Sequence, residues 1–400
     1  AVWDLCRYTI KATSALGIYI DGDRERIPYE ADAIINQLSH YTTDREYAMG
    51  RRSSEYLLEH PTWPTEWILQ ALIIAWNDYL YTGDRRSIEA NYDILKARTL
   101  QSLRRENGLI STTDDRVQSD EFKSSIRFYG NMRDIVDWPR CGDWPHGEDD
   151  HYHLTDYNTV VNAFHYRALV ILQQMALLTN RTAEAEALQK ECQTLREAFN
   201  ELLFDAENGV YNDGVDSDHV TLHSNLFPLA LGLVDKVYQD DVMDYIRSRG
   251  LVCSVYAAQF LMDAVYGAGD GDYGLHLLTK EDERSWYNMV RHGATMTYEA
   301  WDDKFKNNQD WNHAWGAAPA NVIPRYVVGV RPLEPGFARM LISPQTSTLK
   351  SVEAVVPTIR GSVEVDIQSS FEKYVMRVKI PANVVAEVDL PMLQEAEELL

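Results

Sequence analysis

The chain is short of basic charge: 38 lysines and arginines stand against 61 acidic residues in 400, and the formal net charge is −23. No basic face is left for a nucleic-acid backbone or an anionic membrane surface, which counts against both partners. Cysteine is equally scarce. Cys6, Cys141, Cys192 and Cys253 stand alone without a C-x-x-C pair, so neither a zinc ribbon, a redox dithiol nor a disulfide scaffold follows. No apolar run nears the roughly 18 residues that read as a membrane span, and no membrane insertion is expected. Repeats of about 34 or about 40 residues are missing, which weighs against TPR and HEAT arrays. Also absent are G-x-S-x-G, a Walker loop, G-x-G-x-x-G after a strand and H-E-x-x-H. The chain opens at AVWDLCRYTIKATSALG, helical in pattern and without a starting Met. We read it as a piece of a longer protein, so a missing export signal says little about compartment.

What is present is mostly helix. From Ala1 to about Gly329 the apolar residues recur at helical spacing. TEWILQALIIAWNDYLYTG has Thr65 as a cap and Gly83 as a stop, and RSIEANYDILKARTLQSLRRENG follows as a second helix. TVVNAFHYRALVILQQMALLTN and TAEAEALQKECQTLREAFNELLF are joined by a short turn near Asn180. About a dozen helices in antiparallel pairs predict an (α/α)6 toroid, six inner helices ringed by six outer ones, with an irregular solenoid as the alternative. Three loops stand out as candidates for the toroid's funnel: 21–32, 129–156 and 295–315. After VVGVRPLEPGF the pattern turns to period two, in GSVEVDI and YVMRVKI, with Gly, Pro, Ser and Asn between the runs. This predicts a helical domain over 1–335 and a β domain over 336–400, with a small antiparallel β-sandwich over 336–392. MLQEAEELL at the end reads as the start of something further.

The loop DGDRERIPYEAD, Asp21 to Asp32, packs five acids and two arginines around Gly22 and Pro28. Glycosidic cleavage needs two carboxyl groups on opposite sides of a sugar, a proton donor and a base or nucleophile. Like-charged neighbours raise one member's pKa, while arginines hold the others ionised. The bland alternative is a solvated ion-pair cluster at a helix start. A second candidate is Glu299 in TMTYEAWDD, a carboxyl walled by aromatics. A third, CGDWPHGEDDHYHLTDYN, sets His151 and His153 near Asp149, Asp150 and Asp156, but the spacing is not that of a ligand set, and a substrate wall followed by a helix near Thr155 suits it better. No metal or other cofactor is expected. Trp138, Trp144, Trp301, Trp311 and Trp315 fall in polar loops, and aromatics among carboxylates and amides suit carbohydrate.

DRERIPYEAD, GDW, NTVVNAFHYRAL, TYEAWD and WNHAWGAAPANVIPRYVVGVRPLEPGF, in that order, resemble the bacterial α-L-rhamnosidases of glycoside hydrolase family 78. The likeness covers the six-hairpin domain and the β domain after it; the N-terminal β-sandwich modules typical of the family are missing from this chain. The resemblance implies an inverting hydrolase of terminal α-L-rhamnosides with Glu25 as general acid and Glu299 as general base. It implies sugar contacts from Arg24, Tyr29, Asp32, His313 and one of Asp21 and Asp23, and a wall built from Asp143 and Trp144, to which the loop tryptophans Trp138 and Trp301 are added. Its partner is a rhamnose-bearing glycoside or oligosaccharide. A homodimer and a bacterial periplasm or cytoplasm are compatible with it. A toroid glycosidase for another sugar, or an inactive sugar-binding relative, are the competing readings, and cleavage of aryl glycosides separates them.

Overall fold

The computed structural model describes residues 1–371 and 373–390; MLQEAEELL and the rest of the expected 336–400 unit from 391 onward lie outside the described residues. Fourteen helices are described: α1 (Val2–Thr13), α2 (Glu30–Thr43), α3 (Ala48–Glu59), α4 (Thr65–Thr82), α5 (Arg86–Ala97), α6 (Asp120–Ser125), α7 (Thr159–Leu178), α8 (Thr182–Leu203), α9 (Leu222–Leu231), α10 (Gln239–Arg249), α11 (Ala257–Gly267), α12 (Gly271–Thr279), α13 (Trp286–Arg291) and α14 (Pro319–Val322). Six of them form a closed inner ring. α2 packs on α4, α4 on α7, α7 on α9, α9 on α11, α11 on α14, and α14 returns to α2. Around them lie α1, α3, α5, α8, α10 and α12, each against its inner neighbour. This is the six-hairpin (α/α)6 toroid.

The division follows from the sequence. α2 is buried on every side up to Thr42, and α4 and α7 are buried over most of their circumference. α4 and α7 are apolar nearly all round and belong inside, whereas the buried polar residues of α2 are satisfied by neighbours, Glu30 by the Thr62 N–H and Gln37 by the Ile74 carbonyl. α8 and α10 bury only one stripe and turn their charged residues to water. Boundaries differ from expectation in three places. Thr65 is the first residue of α4, and the cap position is Pro64. α7 begins at Thr159, where the Asn158 side chain accepts the Val161 N–H at 2.8 Å, four residues after Thr155. The helix expected to run from Arg86 past Leu103 stops at Ala97, because Arg98 turns inward to donate to the Leu58 carbonyl at 2.8 Å and Leu100 takes a positive φ of 60°.

A two-residue hairpin, β1 (Phe204–Asp205) with β2 (Val210–Tyr211), follows α8. The remaining strands form two three-stranded sheets: β3 (Val330–Pro332), β4 (Arg339–Ile342) and β8 (Val385–Val388), and β5 (Ser351–Thr358), β6 (Gly361–Ser369) and β7 (Tyr374–Lys379). β3 precedes residue 336. The second sheet is an antiparallel meander, with Val356 opposite Val363 and Val365 opposite Val378. The first is mixed: β4 runs parallel to β8, Arg339 opposite Val385, since the chain crosses the meander before returning. Their shared core includes Met340, Ile342, Val363, Val365 and Ile367, and it joins Leu38 and Tyr41 of α2 and Tyr81 of α4. The β region therefore braces the C-terminal ends of two inner helices and leaves the opposite mouth open.

Candidate active site

The N-terminal ends of the inner helices gather the long loops. First-turn glutamates do part of the clamping. Glu30 of α2 accepts the Thr62 N–H at 3.2 Å, and Glu66 of α4 accepts those of Ile135 and Val136 at 3.1 and 2.8 Å. Asp137 is a hub for the 129–156 loop. It accepts from Trp138 N at 2.8 Å, from Ser254 N at 2.9 Å and from the Ser254 hydroxyl, and it meets His223 Nε2 at 2.7 Å. Asp150 accepts the Leu222 N–H at 2.8 Å and pairs with Arg249. Asp149, which accepts the Cys141 N–H at 2.9 Å, and Asp150 are thus spent on anchoring the loop, while the His153 ring stacks on His219 with 3.8 Å between centroids.

Across the seam between the first and last hairpins, the 21–32 and 295–315 loops meet. Arg24 and Glu299, 275 positions apart, share an ion pair of 3.4 Å. The same guanidinium bonds Glu25 Oε1 at 2.8 Å, and Tyr29 donates its hydroxyl to Glu25 Oε2 at 2.8 Å. Glu25 keeps about a third of its side chain exposed (34%), while Glu299 keeps 4%. Glu299 Oε2 accepts the Asp310 N–H at 2.9 Å, and its Oε1 lies 3.2 Å from Lys306 Nζ. Asp32 lies beneath them, 2.6 Å from His313 Nε2. Asp21 is buried, and Asp23 is exposed; Asp21 accepts the Ile27 N–H at 2.9 Å, which closes the loop on itself.

Burial and the Asp32 carboxylate push Asp21 up to about 7. Burial also raises Asp32, against the pull of His313. For Glu25 partial burial acts upward, but the Tyr29 hydroxyl and the Arg24 guanidinium together outweigh it and hold the carboxyl below its ordinary value. The carboxyl that the crowded loop raises is therefore Asp21, not Glu25, because the arginine and tyrosine face Glu25. His313 is raised: burial opposes its charge, but the Asp32 contact, with Glu299 and Asp21 beyond, prevails.

Aromatic rings line the same mouth. Tyr29 meets Trp67 edge-on at 5.5 Å, Trp63 meets Trp138 at 6.4 Å, and Trp315 stacks on His313 at 4.5 Å. Trp144 carries Lys306 Nζ 5.2 Å from its ring centroid, so one lysine links the wall to Glu299. Asp143 is exposed on the turn beside Trp144. Trp301 goes elsewhere. It is fully buried, donates to the Cys253 carbonyl at 2.7 Å and packs edge-on against Trp286, so no ring face is left for a sugar. Sequence reasoning passed over Trp63, Trp67, Lys306 and Asp310. Among the described residues, ligating atoms of Glu299, Asp310 and His313 lie within 4.8 Å of one another. The donor set fits a divalent cation poorly, since Lys306 and Arg24 already press two positive charges on Glu299.

A closed ring of six helical hairpins, with two carboxyl groups spanned by one guanidinium at its mouth, defines the class of six-hairpin glycosidases. Residues 1–327 match the bacterial alpha-L-rhamnosidase 6 hairpin glycosidase domain, and residues 329–399 match the bacterial alpha-L-rhamnosidase C-terminal domain. The chain belongs to the bacterial α-L-rhamnosidase family. It is similar to an alpha-L-rhamnosidase of Alteromonas sp. (strain LOR), 26% identical over 336 residues, which cover 80% of this chain and 34% of that protein. One from Formosa agariphila is 24% identical over 80% of this chain and 33% of its own. The chain thus spans about a third of the length of these relatives. Among solved structures, the family 78 rhamnosidase of Bacillus sp. GL1 shares the fold with a TM-score of 0.81 at 20% identity, over 98% of this chain and 41% of that one. The Streptomyces avermitilis alpha-L-rhamnosidase complexed with L-rhamnose gives 0.73 at 17%, over 96% and 37%.

Proposed function

We propose that the protein containing this chain hydrolyses terminal α-L-rhamnosides with inversion, Glu25 donating the proton and Glu299 activating water. The observation that carries this reading is the Arg24 guanidinium, 2.8 Å from Glu25 and 3.4 Å from Glu299. It brings both carboxyls to one mouth, and the family resemblance points to inversion, for which such a pair stands roughly 6.5–9.5 Å apart against ~5 Å in a retaining one. Membership of the family and a structural neighbour that holds L-rhamnose support the sugar. Glu25 is preferred to Asp21 as acid because it is exposed at the mouth, where a leaving-group oxygen arrives, whereas Asp21 is bound into its own loop. A bound sugar strips water from Glu25 and draws Arg24 to its hydroxyls. Both changes raise the carboxyl toward the value a proton donor needs. Asp21, Tyr29, Asp32 and His313 then face the sugar, and Trp138, Asp143 and Trp144 form the wall.

A panel of aryl glycosides tests the substrate: cleavage of the α-L-rhamnoside alone is expected, and cleavage of another sugar in its place overturns the assignment. Proton NMR of the first-formed rhamnose tests the mechanism. Initial β anomer is expected from an α-rhamnoside, and initial α anomer would mean retention.

A further inference from the structure

At the end of the ring away from the mouth, the helical and β regions enclose a cleft of about 610 Å³. That lies within the ~300–1,000 Å³ of ligand pockets, which favour such junctions between domains. Its floor is bare backbone. α4 ends at Gly83 with a φ of 75°, and Gly336, between β3 and β4, has a φ of 66°. The two segments approach so closely that a Cβ on Gly336 would stand 3.2 Å from the Thr82 carbonyl oxygen. Thr82 is the last residue of α4, and its carbonyl accepts no hydrogen bond from the described residues. The half-buried Tyr79 supplies an aromatic wall, its ring leaning on Trp76 with 5.2 Å between centroids. Arg360, in the turn between β5 and β6, donates its Nε–H to the Gly336 carbonyl at 2.6 Å. Its two terminal nitrogens have no partner among the described residues. Glu334 lines the same cleft and meets Arg339 at 3.1 Å.

These groups select among ligands. The end of α4 carries partial negative charge and Glu334 adds a full one, which disfavours an anion. The Arg360 guanidinium disfavours a metal cation. A neutral polyhydroxyl compound suits the set: it finds a ring to stack on, N–H groups that donate, and a carbonyl and a carboxylate that accept. We propose that the cleft is a second carbohydrate site, which holds a neutral stretch of a saccharide chain. Tyr79 stacks against a sugar face, Arg360 donates to its hydroxyls, and Thr82 and Glu334 accept from them. α4 runs from the mouth to the cleft, and its 18 residues at ~1.5 Å each put the two roughly 27 Å apart. The cleft is therefore separate from the sugar pocket of the mouth. A chain anchored there keeps its other ends at raised effective concentration around the mouth, a benefit that rests on the hydrolytic reading.

The test is affinity electrophoresis in native gels that contain a rhamnan, the neutral polymer of L-rhamnose. Glu299→Gln serves as the parent protein, so that the polymer is not cleaved during the run. The parent should be retarded. Adding Tyr79→Ala should raise the dissociation constant about 3- to 10-fold, the loss of a stacked ring. Adding Arg360→Ala should raise it about 10-fold, the loss of hydrogen bonds from a charged donor. Tyr79→Phe keeps the ring and should bind as the parent does, and melting curves report that each variant is folded. In a chain with Glu299 intact, the same cleft variants should leave kcat and KM for an aryl α-L-rhamnoside within about twofold of the wild type, while KM for the rhamnan rises. Absence of retardation overturns the site, as does retardation that neither Tyr79→Ala nor Arg360→Ala weakens, which would place all binding at the mouth. A parallel loss of aryl rhamnoside hydrolysis in the cleft variants also overturns it, since the residues would then act through the fold. Retardation with the expected losses, but without hydrolysis of any rhamnoside by the wild type, upholds the cleft and sinks the hydrolytic function. Hydrolysis without retardation does the reverse.

Discussion

The two sides of the mouth are built differently. Glu299 is nearly sealed, with one oxygen on a backbone N–H and the other facing Lys306 and Arg24. Glu25 stands one-third exposed on a loop without regular structure, and among the described residues its hydrogen bonds come from two side chains that a substrate can displace. The contrast matches the two proposed tasks. A water-activating base is preorganised, because its partner is always the same small molecule. An acid must meet leaving groups of many shapes, so it sits at the rim with movable neighbours.

Replacing each carboxyl in turn breaks the comparison most sharply. Glu299→Gln should lower kcat about 10³–10⁴-fold whatever the leaving group. Glu25→Gln should lower it about 10²–10⁴-fold for alkyl or sugar aglycones and far less for acidic aryl leaving groups, which depart without protonation. Steady-state kinetics over a leaving-group series decides; equal losses across the series for Glu25→Gln would remove it as the acid.

A smaller effect sharpens the base side. Lys306→Met takes the charge from beside Glu299 and from above Trp144. It should reduce kcat about 10–100-fold while the binding of L-rhamnose changes little, with Lys306→Arg recovering part of the loss, since breaking a buried pair is costly. An unchanged kcat would make the lysine a packing element only.

Smallest is a stability effect on the acid side. Asp21 is raised in the fold to about 7 from an unfolded value near ~3.9. Its protonated form favours folding at low pH, and that contribution is lost as the pH rises through about 7. Asp21→Asn should therefore gain melting temperature relative to the wild type between pH 5 and pH 8. Thermal scans that show a constant difference across this range would contradict the raised carboxyl.

Much of this architecture was legible in the text. α4, α7 and α8 declare themselves by period, and Asn180, at a φ of 60°, marks the turn between the last two. The acid loop announced its carboxyls, and the motif order brought Glu299 to them. What stayed hidden depends on contacts far apart in sequence. Nothing in KARTLQS marks Arg98 as a buried residue that ends a helix. TYEAWDD does not reveal that Trp301 turns inward to a carbonyl while Glu299 faces the mouth. Lys306 and Asp310 read as ordinary loop charges in KFKNNQDW, since their partners, Trp144 and Gly22, come from the other two loops. The parallel pairing of β4 with β8 is likewise set by a crossover and not by either strand.

The seam where α14 returns to α2 has a consequence for how the protein matures. Loop-closure entropy opposes bringing the two ends of so long a chain together, and contacts this distant in sequence form late in folding. On a ribosome the loop carrying Glu25 emerges well before the last hairpin, and its carboxyl has no counterpart until that hairpin has been made and the ring is shut. A partly synthesised or partly unfolded chain thus holds half of the proposed catalytic pair on each of two unjoined edges. On the proposed mechanism hydrolysis is a direct report of ring closure: a nick or insertion that loosens the seam should abolish it while most of the helices remain folded.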